Sequence, residues 1–412
     1  MKIGVRSTIS LYREAYSGHP KEVWIISIMS FINRLGMMVV PFLTIYLNTV
    51  LHFDLKQSGV LASAFGFGSL AGTFIGGRVS DRIGVNNVIR FSLLIGGFLL
   101  ISLQFASHFY ALFGLLFITA LFGEAYRPAM LSAISQYVSS AQVGRSVALL
   151  RLAINLGMGV APAMGGFIAA TWNYSWLFWF DGITCILASL FFGWISRDWT
   201  QGKAIKKSDL ADKPKDQSLP AHRNKPFLLF ILSTWIMAFC FMQWFQSVPI
   251  FIKTIWHYDE RYIGALMALS SLLIALIEMP IIHQIEKNGH TRRATIYGLA
   301  LIGISFVPFL FPQLFILGFI AMFLLTIGEI LALPLTNTIA INMSPPSRRG
   351  EYMGWYWMVW SLVQVLGPSL GLFFISHWGF SAFWSVLVFM ATASVLIHIF
   401  LPSRKKSPDI SH

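Results

Sequence analysis

Seven ionisable side chains stand inside stretches that are otherwise apolar: Arg34, Glu124, Arg127, Arg151, Asp181, Glu278 and Glu329. A charge surrounded by hydrocarbon is costly, so such a group faces a partner, a cavity or the path of a charged solute. The chemistry open to this set is ion pairing, capture of a charged ligand and carriage of a proton. A carboxylate changes its hold on a proton as it moves between a desolvated site and one beside an Arg. Glu329 is therefore the first candidate proton carrier, with Glu278, just before Pro280, the second. Glu124 and Arg127 stand at i and i+3, close enough to neutralise each other on one helix face. Arg151 has Glu124 or a nearby loop within reach, and Asp181 suits packing or capping. Arg34 is a candidate contact for an anionic solute, the alternative for it and Glu329 being a structural ion pair between the halves.

A second group is polar and aromatic. Phe239, Gln243 and Gln246 share one helical face of a stretch that also carries Trp235, Phe241, Trp244 and Phe245. Gln has little reason to face lipid, so this face is a candidate substrate wall. His283 reads as an interfacial residue.

The elements that must hold these groups follow from composition. The chain is 56% hydrophobic and 11% charged over 412 residues, more apolar surface than a water-soluble domain can hide. Runs of about 20 apolar residues cross a bilayer core as helices, and continuous rather than alternating runs exclude a barrel. Twelve such runs are expected, near 22–48, 57–79, 88–107, 109–136, 143–170, 175–196, 226–252, 262–285, 293–311, 314–341, 351–376 and 380–401. The faintest separations are Ser107-His108 and Pro312-Gln313.

The net charge of +13 would suit a nucleic-acid partner, but its distribution argues otherwise. Of 30 Lys and Arg, 24 fall in the termini or in loops on one face of the twelve-run map, and only Lys56, Lys253 and Arg261 fall on the other. Short basic loops stay cytoplasmic, so both termini and residues 197–225 are expected there. Cys185 and Cys240 lie in apolar runs and suggest neither a disulfide nor a metal site. The first 20 residues carry Arg6 and Arg13 without a cleavable apolar core, so no signal peptide is expected.

Residues 197–225, with Lys203, Lys206, Lys207, Asp209, Asp212 and Pro214, read as a solvated linker. The expected domains are a six-helix bundle over 1–196, the linker over 197–225 and a second six-helix bundle over 226–412. The halves echo each other at an offset of 205 or 206: Pro128 with Pro334, Pro162 with Pro368, Gly165 with Gly371, and Asp81-Arg82-Ile83-Gly84 with Glu286-Lys287-Asn288-Gly289. Such repeats are a transporter architecture, with substrate bound between the halves.

Three motifs sharpen the reading. After the second run stands Gly77-Arg78-Val79-Ser80-Asp81-Arg82-Ile83-Gly84. Gly77 allows close packing, Asp81 can cap or pair, Arg82 marks the basic side and Gly84 permits a tight turn. In the fifth run stand Gly157, Gly159, Ala161-Pro162 and Gly165-Gly166, answered by Gly367-Pro368 and Gly371 in the eleventh. Gly123-Glu124-Ala125-Tyr126-Arg127-Pro128 and Arg348-Arg349-Gly350-Glu351 complete the set.

Together these resemble the signature loop and antiporter motif of the major facilitator superfamily, in its drug and siderophore exporter branch. The basic pair usual after the second Gly is replaced by Val85-Asn86-Asn87, and the Gly usual before Pro162 is Ala161. The peptide-transporter signature of two Glu ahead of an Arg is absent from the first run. The resemblance implies an all-α polytopic membrane protein of twelve helices in two pseudo-symmetric bundles. It further implies that helices one, four, seven and ten line a central cavity.

The expected function is transport of a small organic molecule by proton-coupled alternating access across a bacterial-type inner membrane. Export of an amphipathic or anionic compound is the first reading. Proton-coupled uptake of an organic anion, siderophore or nutrient is the alternative, and a non-transporting receptor a third. Expected substrate contacts are Arg34, Glu124, Arg127, Arg151, Phe239, Gln243 and Gln246. Glu329 and Glu278 carry the proton, and Gly77, Asp81, Arg82, Gly84, Pro162, Gly165 and Pro368 serve the conformational change. The expected partners are the substrate, protons and lipids, with the chain a monomer that binds no nucleic acid. No metal-ligand cluster, phosphate loop or nucleophile with a paired base stands out, so neither enzyme activity nor a cofactor is expected.

Overall fold

The computed structural model describes residues 19–138, 143–197, 199 and 219–401. The greater part of the linker, and the side chains of Asp81 and Arg151, lie outside the described residues. Among the described residues, eleven helices are long and apolar enough to cross a membrane. The last, Arg349–Phe400, is broken at Gly379, whose φ of 78° lies in the left-handed region glycine tolerates. That break yields the eleventh and twelfth spans, so the expected twelve are present.

In chain order the helices are α1 (Lys21–Leu35), α2 (Val39–Ile45), α3 (Leu55–Ile83), α4 (Val85–Leu103), α5 (Phe109–Tyr137), α6 (Val143–Thr171), α7 (Ser175–Ile195), α8 (Lys225–Gln246), α9 (Val248–Thr254), α10 (Glu260–Lys287), α11 (Thr291–Ile304), α12 (Phe315–Met343) and α13 (Arg349–Phe400). The first span is thus split into α1 and α2 at Gly36–Met38, and the seventh into α8 and α9. Local chemistry sets the ends. Asp54 begins α3 with a reciprocal capping box: its carboxylate accepts from the Gln57 N–H at 2.6 Å while Gln57 Oε1 accepts from the Asp54 N–H at 3.2 Å. Gly84, with φ 86°, ends α3 in one step and starts α4.

The internal duplication is written into the backbone. Gly84 and Gly289 both have positive φ, and among the described residues the non-glycine positions with positive φ are His52 and His257, at the same offset of 205.

The molecule divides into two compact units. The first comprises Met1–Ala211, Phe245–Ala275 and Gln364–Ser376; the second comprises Asp212–Trp244, Leu276–Val363 and His377–His412. In the first, Ile26, Met29, Ile89, Leu93, Ala129, Met130 and Phe192 form a buried core. Glycines bring its helices together, as small residues do in lipid. On α3, Gly68, Gly72 and Gly76 leave no room for a side chain against the Phe117, Leu121 and Ala125 carbonyls of α5. In the second unit, Phe227, Phe230, Tyr352 and Tyr356 form the core. There Ser233 Oγ lies 2.6 Å from Ser394 Oγ and 2.7 Å from His398 Nδ1, and Arg292 donates to the His398 and Ile399 carbonyls at 2.9 Å. The bonds from Arg292 satisfy orphan carbonyls at the end of α13.

Candidate functional site

Arg34 occupies the last turn of α1, where the split of the first span leaves it beside α5. Its Nη1 lies 3.6 Å from Glu124 Oε1, and both side chains are 4% exposed. Arg127 Nε lies 2.6 Å from Glu124 Oε2, with Arg127 itself half exposed. The local i, i+3 pair expected from sequence is therefore joined by a second, buried arginine. Arg34 Nη1 also points at Met37 Sδ, 2.6 Å away, within the split. Tyr126, two residues after Glu124, donates to Ser30 Oγ at 3.3 Å and ties α5 to α1 a turn away.

Asp181 of α7 caps the split from the other side. Its Oδ2 accepts from the Val39 N–H at 3.0 Å, supplying an acceptor for the first turn of α2.

Glu329, on α12, stands 205 positions after Glu124, the offset that relates the repeats. Its surroundings differ. It is half-buried, and among the described residues no cation forms an ion pair with it. Its electrostatic neighbour is Glu278 of α10, another carboxylate. One residue before it, Gly328 packs against Gly298 of α11 so closely that a Cβ at Gly298 would lie 2.8 Å from the Gly328 carbonyl oxygen.

On α8, Phe239 is buried and stacks on Trp235 with ring centres 5.6 Å apart. Gln243 is fully buried. Gln246, at the end of α8, accepts a bond on its carbonyl from Thr44 Oγ1 at 3.0 Å, while its side-chain oxygen is buried with no hydrogen-bond partner among the described residues.

The motif glycines and prolines divide between two matching contacts inside the first unit. A Cβ at Gly59 of α3 would lie 2.9 Å from the Pro368 carbonyl oxygen, and one at Gly264 of α10 would lie 2.7 Å from the Pro162 carbonyl oxygen. Gly66 abuts Gln364 of α13, and Gly159 abuts Ser271 of α10 in the matching place. Ser63 Oγ lies 2.7 Å from Ser369 Oγ, and Gln364 donates to Ser69 Oγ at 3.1 Å. Gly157 and Gly165 face the first span instead, against Arg34 and Met38. Gly77 has only an ordinary contact, 3.9 Å from Pro128 Cβ.

Beside the α6–α10 contact stands a group the sequence reading passed over. Glu260, 3% exposed at the start of α10, pairs with Lys253 Nζ at 2.8 Å and accepts from the Tyr174 hydroxyl. Burial, and then the Glu260 carboxylate, hold the Tyr174 phenol above the ordinary tyrosine range, so it remains a donor. The signal was present: Lys253 is one of three basic residues on a face otherwise without them.

The geometry finds parallels among known proteins. The family model of the Major Facilitator Superfamily matches residues 26–286 and 248–411. The MFS-type transporter YttB of Bacillus subtilis (strain 168) is 25% identical over 394 residues, covering 94% of this chain and 97% of YttB. A Na(+), Li(+), K(+)/H(+) antiporter of Planococcus maritimus is 21% identical, covering 90% and 93%. The multidrug resistance protein MdtG of Proteus mirabilis (strain HI4320) is 30% identical over 161 residues, 38% of this chain and 40% of MdtG. Among solved structures, a POT family transporter bound to a thioalcohol-conjugated peptide superposes with TM-score 0.75 at 16% identity, covering 94% of this chain and 96% of that one. The nucleoside transporter NupG superposes with TM-score 0.74 at 15% identity, covering 92% and 100%. With the family model matched across both repeats of a twelve-span helical fold, this chain belongs to the major facilitator superfamily and is a multi-pass membrane transporter of a small molecule.

Proposed function

We propose that this transporter exports an amphipathic or anionic organic compound in exchange for protons, by alternating access. The observation that carries the reading is the inequality of two equivalent carboxylates. Glu124 is neutralised by Arg34 and Arg127, whereas Glu329, at the matching position of the second repeat, has Glu278 for its electrostatic neighbour. An intramembrane carboxylate that meets no cation among the described residues is a candidate proton carrier, and one held by two arginines is not. Glu329 is the proton carrier in this reading and Glu278 its second site.

Arg34 and Arg127 give the first repeat an excess of positive charge over Glu124, which favours a substrate bearing a carboxylate or other anionic group. Phe239, Gln243 and Gln246 supply apolar surface and hydrogen bonds for its body, and Arg151 belongs to the same proposed set. The bias of basic residues supports a cytoplasmic location for the termini and the linker, in a bacterial-type inner membrane. The contacts of α3 with α13 and of α6 with α10 then lie toward the outer face and close it. The names of the multidrug and cation/proton antiporter relatives accord with export by antiport.

The test uses everted vesicles with an imposed pH gradient and fluorescent amphipathic dyes of negative, neutral and positive charge. Wild type is expected to accumulate a dye while dissipating the gradient, and Glu329→Gln with Glu278→Gln is expected to lose that coupling. Undiminished coupling in the double variant removes the proton assignment. Dye movement in the opposite sense, with coupling intact, makes the protein an importer.

A further inference from the structure

A cavity of about 50 Å³ lies within the first six spans, between α1, α4, α5 and α7 at the split of the first span. Its wall is mostly aliphatic, from residues such as Leu43, Leu93 and Leu116, but three acidic or amide side chains also line it: Asn33, Glu124 and Asp181. All three are more than nine-tenths buried. Among the described residues, Asn33 Oδ1 and Asp181 Oδ1 have no hydrogen-bond partner, and Glu124 Oε2 has none beyond its ion contact with Arg127.

Apolar cavities stay empty at no polar cost, but oxygens left bare at this depth are expensive. Every unpartnered atom here is an acceptor, so the missing group is a donor or a cation. The hydroxyl of Thr119, also on the wall, is turned to its own helix, donating to the Leu115 carbonyl at 2.7 Å. The space suits about three water-sized groups.

The charge balance narrows the choice. Arg34 and Arg127 both meet Glu124, which leaves Asp181 as the buried carboxylate of the wall still to be neutralised. The other titratable groups nearby are Tyr126 of α5 and Cys185, one turn along α7 from Asp181. Arg90, the only charge on α4, lies against Gly193 at the far end of α7. Among the described residues no Lys, Arg or His forms an ion pair with Asp181. Asp181 is thus short of one positive charge, and an unneutralised carboxylate does not persist in such a place.

We infer that this cavity is a binding site for one small monovalent cation, held against Asp181 with Asn33 and the Glu124 carboxylate as oxygen neighbours. Hard cations take oxygen ligands of this kind. Sodium and the proton both supply the required unit charge. The site is separate from Glu329 and Glu278. Because Asp181 Oδ2 already holds the Val39 N–H, charge at Oδ1 bears directly on the split between α1 and α2.

The purified full-length chain tests this. Thermal unfolding is followed in sodium chloride against choline chloride at equal ionic strength, at pH 8 and at pH 5.5. Cys185 gives a local readout in a Cys240→Ser background, through its rate of modification by a small thiol reagent. The expected result is a saturable sodium-dependent rise in Tm and slower Cys185 modification in wild type, both lost in Asp181→Asn. If acidification produces these two changes, sodium does not, and Asp181→Asn abolishes them, the occupant is the proton. If Asp181→Asn responds to sodium and to pH as wild type does, the site is overturned. Should Asp181→Asn fail to fold, Asn33→Ala decides: a severalfold weaker sodium or proton response sustains the inference, and unchanged responses overturn it. Neither outcome depends on the coupling test of Glu329, which leaves this cavity untouched.

Discussion

Arg34 of the first span and Glu124 of the fourth meet at 3.6 Å with both side chains 4% exposed, although neither is near the other in sequence. The pair is unequal in what each partner leaves behind. Arg34→Gln leaves Glu124 still paired with Arg127, whereas Glu124→Gln leaves a buried arginine without a carboxylate. Stranding a buried charge costs about 3–5 kcal/mol. Glu124→Gln is therefore expected to lower thermal stability in detergent much more than Arg34→Gln. The double variant should recover part of the loss, and equal effects of the two single variants would contradict the pairing.

Ser63 and Ser369 offer a direct test of motion. Their hydroxyl oxygens are 2.7 Å apart, and their replacement by cysteine brings two thiols within disulfide reach without backbone movement. Ser63→Cys with Ser369→Cys is expected to crosslink under mild oxidation and to stop transport. A reducing agent should restore it. Full transport by the crosslinked protein, verified by its mobility shift, would mean that this contact stays closed throughout the cycle.

The Glu260 contact predicts a weaker latch when broken. A hydrogen bond to a charged group is worth about 1.5–3 kcal/mol, which corresponds to about tenfold or more in an equilibrium. In Glu260→Gln, and to a smaller degree in Tyr174→Phe, Ser271→Cys beside Gly159 should be labelled by an impermeant maleimide about tenfold faster than in the wild-type latch. Unchanged labelling would place the opening elsewhere.

The glycines of α3 divide sharply by position. An added Cβ at Gly72 meets the Leu121 backbone, which cannot move aside as a flexible side chain would, and overpacking of this kind costs about 1–3 kcal/mol. Gly77→Ala meets only Pro128 at an ordinary distance and is expected to change stability by less than about 0.5 kcal/mol. Thermal unfolding of the two variants, with transport measured alongside, separates a packing role from a role in the conformational cycle.

Much of the architecture was readable without coordinates, because its causes are local. Twenty apolar residues are long enough to cross lipid wherever they stand, and Gly84 and Gly379 mark reversals that depend on their own φ alone. The repeat offset paired Gly84 with Gly289 before either conformation was seen, and the same offset relates Glu124 to Glu329. What lay beyond the sequence was the choice of partners. Lipid selects for the length of a helix and says nothing of which neighbour an arginine meets. Arg34 meets Glu124 from the last turn of α1, beside the split at Gly36–Met38, and Asp181 of the sixth span holds the start of α2. Likewise Gly157 and Gly159, two residues apart, face different helices, Arg34 of α1 and Ser271 of α10, because the turn of a helix sends neighbours to different sides. Sequence determined the spans, their order and their duplication. Tertiary packing alone decided which carboxylates among the described residues meet an arginine and which do not.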